Sequence, residues 1–429
     1  MNRLLIKNAR VIDPSQDLDR VCDLLVEDGR IARLGYGLHS SGEVVEAAGL
    51  VAAPGLVDMH VHLRDPGYCQ KEDIFTGCEA AAAGGFTSVA CMPNTNPVCD
   101  SPQVVSYILE RARQAKAKVY PFAAITQGLQ SQQLTDQAAL KAAGAVGISD
   151  DGRPVTNNRL LLEAMRQAAE LGLLVSCHAE DLAITNGGIM HLGEVSRQLG
   201  VPGVDRASED CNTAVCIALA AASGSRVHID HVSTAGAVAM IRDAKARGVR
   251  VTAETGPHYL MLTHERLLSK DADYRMAPPL REERDRQAVL QAVADGVIDC
   301  IVTDHAPHTP EEKADFVKAP NGVVGLETSL AACLTCLVHP GVIPLSRLIA
   351  MMSWVPAQLL GIPAGTLKPG VAADIVLFDP EEAWTVDPAK FHSKARNSCF
   401  KGMELTGRVK ATWKDGVETY RDGNGKEVF

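Results

Sequence analysis

Between Gly55 and Pro356 the chain alternates short apolar runs with longer amphipathic stretches, and this alternation constrains the fold more than any other feature. The runs are LVDMHVH (56–62), FTSVACM (86–92), KVYPFAA (118–124), AVGIS (145–149), LLVSCH (173–178), RVHIDH (226–231), VRVTAE (249–254) and VIDCIVTD (297–304). Most are followed by a helical pattern, such as EDIFTGCEAAAAGG or LLLEAMRQAAELG. Buried parallel strands read as continuous apolar runs because helices cover both their faces or their outer face. Eight such units over about 300 residues are the anatomy of an α/β (β/α)8 TIM-like barrel. A doubly wound open sheet is the rival architecture. It is disfavoured because no GxGxxG follows the first run and because eight units suffice to close a barrel.

The two ends of the chain read differently. LLIKNARVID, CDLLVEDGRIARLG and EVVEAAG near the start, and ADIVLFDP and GRVKATWKDGVETYRDG near the end, carry strand patterns punctuated by Asp28-Gly29 and Asp415-Gly416. The expected organisation is therefore a barrel over 55–356, beside a small discontinuous β-sandwich domain made from 1–54 and 357–429.

Composition narrows the function classes. The 42 basic and 52 acidic residues give a formal charge of −10, so a polyanion such as nucleic acid is an unfavoured partner. No apolar run is long enough to span a membrane, and the opening MNRLLIKNARVIDPSQD turns polar too soon for a signal peptide. Twelve scattered cysteines in a core-rich chain point to reduced thiols and a cytoplasmic setting. Cys333 and Cys336 form a CxxC inside the apolar stretch LETSLAACLTCLV; with no second CxxC they read as core residues, not as a zinc or redox motif.

Barrel enzymes carry their chemistry at the C-terminal ends of the strands. The polar residues there are His60, His62, Asn94, Asp150, Asp151, His178, His231 and Asp304. In His60-Val61-His62 the two imidazoles share a strand face and can reach one ion. In RVHIDH, parity suggests that His231 points inward and that His228 is a helix-facing or hydrogen-bonded core histidine. Any one of these histidines alone would more often be structural. Together, four histidines and two aspartates from five strand ends would crowd one mouth, at high cost without a cation. They exceed the four-ligand set of a single structural zinc, and a two-metal hydrolytic centre with a bridging carboxylate accommodates them.

The stretch PGLVDMHVHLRDPG (54–67) resembles the metal-binding signature of the amidohydrolase superfamily, and of the dihydroorotase family in particular. MPNTNP (92–97), ISDDG (148–152), CHAED (177–181), TDHAPH (303–308), GVVGLET (322–328) and KPGVAADIVLFD (368–379) extend the resemblance over nearly the whole chain. It implies reversible cyclisation of N-carbamoyl-L-aspartate to L-dihydroorotate, the third step of pyrimidine biosynthesis, with two zinc ions per subunit. Carried over by position, His60, His62 and Asp304 would hold one zinc, and His178 and His231 the other. The carboxylated lysine that bridges the metals in many relatives has no counterpart in GAVGISDDG. The resemblance is to the branch with an aspartate there, which selects Asp151, with Asp150 as second choice. Asp304 would act as general base and acid. Arg64, Asn94 and His308 would receive the substrate carboxylate, beside His62, Ala277, Asn321 and Gly322. Ala277 stands where relatives often have Asn, and Asn321 where many have Phe, so altered substrate contacts are expected at both positions.

Two rivals follow from the same resemblance. One is a sibling hydrolase of the dihydropyrimidinase, hydantoinase or allantoinase type, whose members keep the bridging lysine. The other is an inactive scaffold for aspartate transcarbamoylase, a type that lacks the HxH and other ligands. The resemblance also allows a homodimer, and an active enzyme that binds the transcarbamoylase.

Overall fold

The computed structural model describes residues 3–423. Eighteen strands form three sheets. The N-terminal strands are β1 (Arg3–Asp13), β2 (Leu18–Glu27), β3 (Arg30–Gly35), β4 (Glu43–Glu46) and β5 (Val51–Pro54). The barrel strands are β6 (Leu56–Val61), β7 (Phe86–Cys91), β8 (Lys118–Ala123), β9 (Gly147–Ser149) and β10 (Leu174–Cys177), then β13 (Arg226–Ile229), β14 (Val251–Thr255) and β15 (Cys300–Ile301). Between β10 and β13, β11 (Met190–His191) and β12 (Gly203–Val204) make a small separate pair. The chain ends on β16 (Ile375–Thr385), β17 (Glu404–Lys414) and β18 (Val417–Arg421).

The eight barrel strands pair in parallel in chain order, from β6 to β15. Closure is made just past β15. Val61 bridges His305, and the His62 amide donates to the His305 carbonyl at 2.8 Å. Below that seam the Asp58 carboxylate accepts the Thr303 amide at 3.1 Å and the Thr303 hydroxyl at 2.5 Å. Burial pushes the Asp58 carboxyl up to about 7, against the pull of these hydrogen bonds. The first and last strands are thus tied by a buried carboxyl whose loss would strand three donors, the His60 amide included, at about 1–3 kcal/mol each.

Local sequence explains the outer layer. The helix Asn158–Leu171 starts where Asn157 accepts the amides of Arg159 and Leu160, and stops at Gly172, whose φ of 69° suits a residue without Cβ. Its buried residues Leu161, Ala164, Met165 and Ala168 recur at helical spacing and face the barrel. They join Ile148, Val175, Val227 and Ile229 in the strand–helix layer. A second, interior cluster holds Val57, Met59, Ala90, Met92, Phe122, Leu174, Cys300 and Val302.

That partition corrects the parity reading of RVHIDH. Val227 and Ile229 face the helices. His228 points into the barrel, bonded to Thr252 at 2.7 Å and Glu254 at 3.1 Å. His231 reaches the mouth because β13 has ended and the backbone has turned, with φ of 35°. Arg64 and Asp304 also lie just past strand ends with positive φ, 59° and 46°. Non-glycine residues in this region are strained, and such strain concentrates at functional sites.

Strands from the two chain ends share one mixed sheet, in the order β18-β17-β16-β5-β1-β2-β3 with β4 on β1. It has its own core around Ile6, Val11, Leu24, Ile375 and Trp413. All twelve cysteines are free, Cys333 buried and Cys336 partly so. Among the described residues no helix is long and apolar enough to cross a membrane.

Candidate active site

At the C-terminal mouth, Asp151 sits among four imidazoles. Its carboxylate oxygens lie 3.4 Å from His60 Nε2, 3.5 Å from His62 Nε2, 3.3 Å from His178 Nδ1 and 3.9 Å from His231 Nε2. Two ligand triplets therefore share it: His60, His62 and Asp151 on one side, and Asp151, His178 and His231 on the other. Asp304 adjoins the first triplet, 3.1 Å from His62 Nε2 and 3.7 Å from His60 Nε2. Asp150, next in the chain, turns away and accepts the amides of Ile125 and Thr126 together with the Thr126 hydroxyl.

Three of the four imidazoles are oriented from behind, while His231 Nδ1 has no hydrogen-bond partner among the described residues. His60 Nδ1 donates to Glu254 at 2.6 Å, His62 Nδ1 to the Asn94 carbonyl oxygen at 2.9 Å, and His178 Nε2 to Glu180 at 3.0 Å. This fixes the tautomers and turns the opposite nitrogens, with their lone pairs, toward Asp151. Sequence reasoning passed over Glu254 and Glu180. Both were accessible to the rule that selected the other residues, since Glu254 closes the run VRVTAE and Glu180 lies two places after His178.

The electrostatics favour positive charge. Burial opposes it on His60, but Glu254 and Asp151 hold that imidazole well above its ordinary value. Burial likewise opposes charge on His178, which Asp151 and Glu180 reverse. Burial would raise Asp151 and Asp304, yet the surrounding imidazoles hold both below the usual carboxylate range. Glu254 and Glu180 are held down to about 2, their hydrogen-bonded histidines outweighing burial.

The donor set fits metal ions. His60 Nε2 is a buried nitrogen without a hydrogen-bond partner. His178 Nδ1 and His231 Nε2 face each other at 2.8 Å, so that either one proton is shared or both lone pairs converge on a cation. Imidazole nitrogen and carboxylate oxygen are ligands that zinc and similar divalent ions accept.

Above this floor opens a cleft of about 280 Å³. His62, Arg64, Asn94, Asp151, His178, His231, Ala277, Asp304, His308, Asn321 and Gly322 line it, with Gly152, Glu180 and Ala306; His60 lies beneath, fully buried. Arg64 donates to the Pro307 carbonyl at 3.3 Å and approaches His308 at 3.5 Å, but forms no ion pair among the described residues. Burial lowers its pKa, partly offset by Asp304 and Asp151. His308 is pushed down to about 3 by burial and by the cations Arg64, Lys71 and Lys313, so it is neutral. Asn94 is already engaged at both ends, its amide nitrogen 3.3 Å from Asp151. The Asn321 side chain turns aside to Arg275, leaving its carbonyl to His308 at 2.9 Å.

A curated dihydroorotase of Geobacter metallireducens is 50% identical over 97% of this chain and 99% of its own length. The chain belongs to the dihydroorotase family. The dihydroorotase of Syntrophus aciditrophicus is 47% identical over 98% of the chain and all of its own length. The family description "Dihydro-orotase-like" matches residues 49–237. Among solved structures, the L-hydantoinase (dihydropyrimidinase) from Arthrobacter aurescens superposes with a TM-score of 0.88 at 27% identity, covering 99% of this chain and 97% of that one. The dihydropyrimidinase of Brevibacillus agri gives 0.85 at 27% identity, over 98% and 95%. Dihydroorotases thus share this chain's sequence at nearly twice the identity of the cyclic amidohydrolases that share its barrel.

Proposed function

We propose that the chain interconverts L-dihydroorotate and N-carbamoyl-L-aspartate, using two divalent cations, with zinc as the natural choice. The observation that carries the acidic substrate is Arg64: a half-buried guanidinium at the cleft rim that forms no ion pair among the described residues. A partly desolvated charge left unpaired is unfavourable, and a substrate carboxylate would relieve it. The two cations are supported by charge arithmetic. Asp151, Asp304, Glu180 and Glu254 give −4 against neutral imidazoles, which two divalent ions would balance.

On this reading His60, His62, Asp151 and Asp304 hold one ion, and Asp151, His178 and His231 the other. Bound there, the ions supply Lewis acidity at the ring carbonyl and lower the pKa of water in the site. Asp304, kept ionised by His62 and His60, takes the proton of the attacking water. As the ring C–N bond breaks, it returns that proton to the leaving nitrogen; cyclisation runs the same transfers backwards. Arg64, with neutral His308 and the open backbone at Gly322, orients the carboxylate. Asn94 fixes His62 and Asp151 from beside the substrate. Ala277 presents only a methyl group to the ring, so recognition there rests on shape.

The setting we assign is cytoplasmic pyrimidine synthesis, in keeping with the free thiols. A scaffold-only role is disfavoured, since every proposed ligand is present and converges on the mouth. The test is a side-by-side assay of dihydroorotate, dihydrouracil, hydantoin and allantoin on zinc-loaded protein. Turnover of dihydroorotate is expected; turnover of the neutral rings alone contradicts the reading.

A further inference from the structure

Asn397 lies far from the barrel in sequence, between β16 and β17, yet it is 3% exposed and reaches the rim of the cleft. Its amide nitrogen donates to the Ala306 carbonyl at 3.1 Å and to the Gly322 carbonyl at 3.0 Å. Its side-chain oxygen accepts the His308 amide at 3.2 Å, and its own carbonyl accepts the Val324 amide at 3.0 Å. One carboxamide thus uses two donors and one acceptor to join the segment after β15 to the segment 321–324.

These are the two segments that carry His308 and Gly322. They touch directly as well. The Ala306 amide donates to Val323 at 2.8 Å, and His308 Nε2 donates to Asn321 at 2.9 Å. At Gly322, with φ of 137°, a Cβ would meet Ala306 at 2.8 Å and His308 Nε2 at 3.0 Å. The fit is therefore close, and no side chain of these two segments supplies the three bonds that Asn397 makes. Removing the carboxamide strands the Ala306 carbonyl and the His308 amide, and leaves the Gly322 carbonyl to Lys313 alone at 3.0 Å. An aspartate of the same shape would set a carboxylate against two carbonyl oxygens.

We infer that Asn397 is a positioning residue for the carboxylate side of the cleft, a clamp from the terminal segment that holds the His308 and Gly322 loops in register with Arg64. It touches none of the proposed metal ligands. Its loss should therefore loosen substrate binding and leave the metal floor intact. The inference rests on the proposed function for its kinetic half, while its structural half is independent.

The experiment compares full-length, zinc-loaded parent, Asn397→Ala, Asn397→Asp and, as a neighbouring control, Ser398→Ala. KM for dihydroorotate should rise at least about tenfold in both Asn397 variants, the order expected for losing one or more buried hydrogen bonds. Metal content should be unchanged and kcat should stay within about threefold, less than the loss of one hydrogen bond would give if it acted on the chemical step. Ser398→Ala should keep the parental KM. Amide hydrogen exchange should quicken together in 305–308 and 321–324, with 56–62 still protected. An unchanged KM, a KM rise shared by Ser398→Ala, or a joint fall of metal content and kcat overturns the inference. If Asn397→Ala does not fold, Asn397→Ser is read by the same criteria. A parent inactive on dihydroorotate defeats the functional reading and the kinetic half with it; unchanged exchange in the two loops defeats the clamp alone.

Discussion

The floor of the cleft and its rim are built in opposite ways. The floor is made of residues at strand ends, and three of its four imidazoles are each held by one partner of fixed chemistry: Glu254 behind His60, Asn94 behind His62, Glu180 behind His178. Its carboxylates stay ionised and its geometry derives from the barrel. The rim is made of loop residues held by distant groups, such as Asn397 on 306–308 and Lys313 on the carbonyls of Arg275, Pro320 and Gly322. It carries positive charge instead, on half-buried Arg64 and buried Lys313. The floor is thus suited to hold cations and the rim to hold an anion, and substitutions in the two should separate kcat and metal content from KM.

The largest effect should come from the floor. Asp304→Asn should lower kcat by about 10²–10⁴-fold, as expected for a lost acid–base group. Steady-state rates near the parent's would remove Asp304 from that role. Arg64→Met should next raise KM for dihydroorotate by about 10–100-fold, the value of a charge-assisted hydrogen bond or two, with metal content unchanged. If the metal is lost instead, Arg64 belongs to the floor and the division fails. Glu254→Gln can still accept from one of its two histidines but not from both. Its metal affinity, followed by chelator competition, should fall about tenfold, within the range for orienting residues behind a ligand. A KM change without a metal change would misplace it.

The smallest effect is on stability at the rim. Burial lowers the Lys313 ammonium from 10.5 to about 8. The unfolded chain then binds the extra proton between about pH 8 and 10.5, so stability rises with pH across that window. Thermal midpoints of the parent should gain on those of Lys313→Met from pH 8 to 10. A constant difference would mean that the ammonium is not penalised by burial.

The sequence made the barrel legible because its strands are buried on both faces and so read as unbroken apolar runs; each of the eight runs overlaps a barrel strand. Boundaries were less so. VIDCIVTD yields a strand only at Cys300–Ile301, because Asp304 and the residues before it leave the ladder to close the seam with β6. Parity put His228 on the wrong face, though its alternative as a hydrogen-bonded core histidine holds, because it extrapolated a period of two past Ile229, where β13 stops and the chain twists His231 to a positive φ. The motifs drew attention to groups that could face an ion. They were silent about Asn397, whose side-chain partners lie 75–91 residues away and become neighbours only when the barrel closes.

The central claim is that one carboxylate, Asp151, is shared by two cation sites. Anomalous diffraction from zinc-loaded crystals tests it most directly. Two peaks per chain are expected, one among His60, His62 and Asp151, the other among Asp151, His178 and His231. A single peak, or a second peak away from Asp151, would contradict the account.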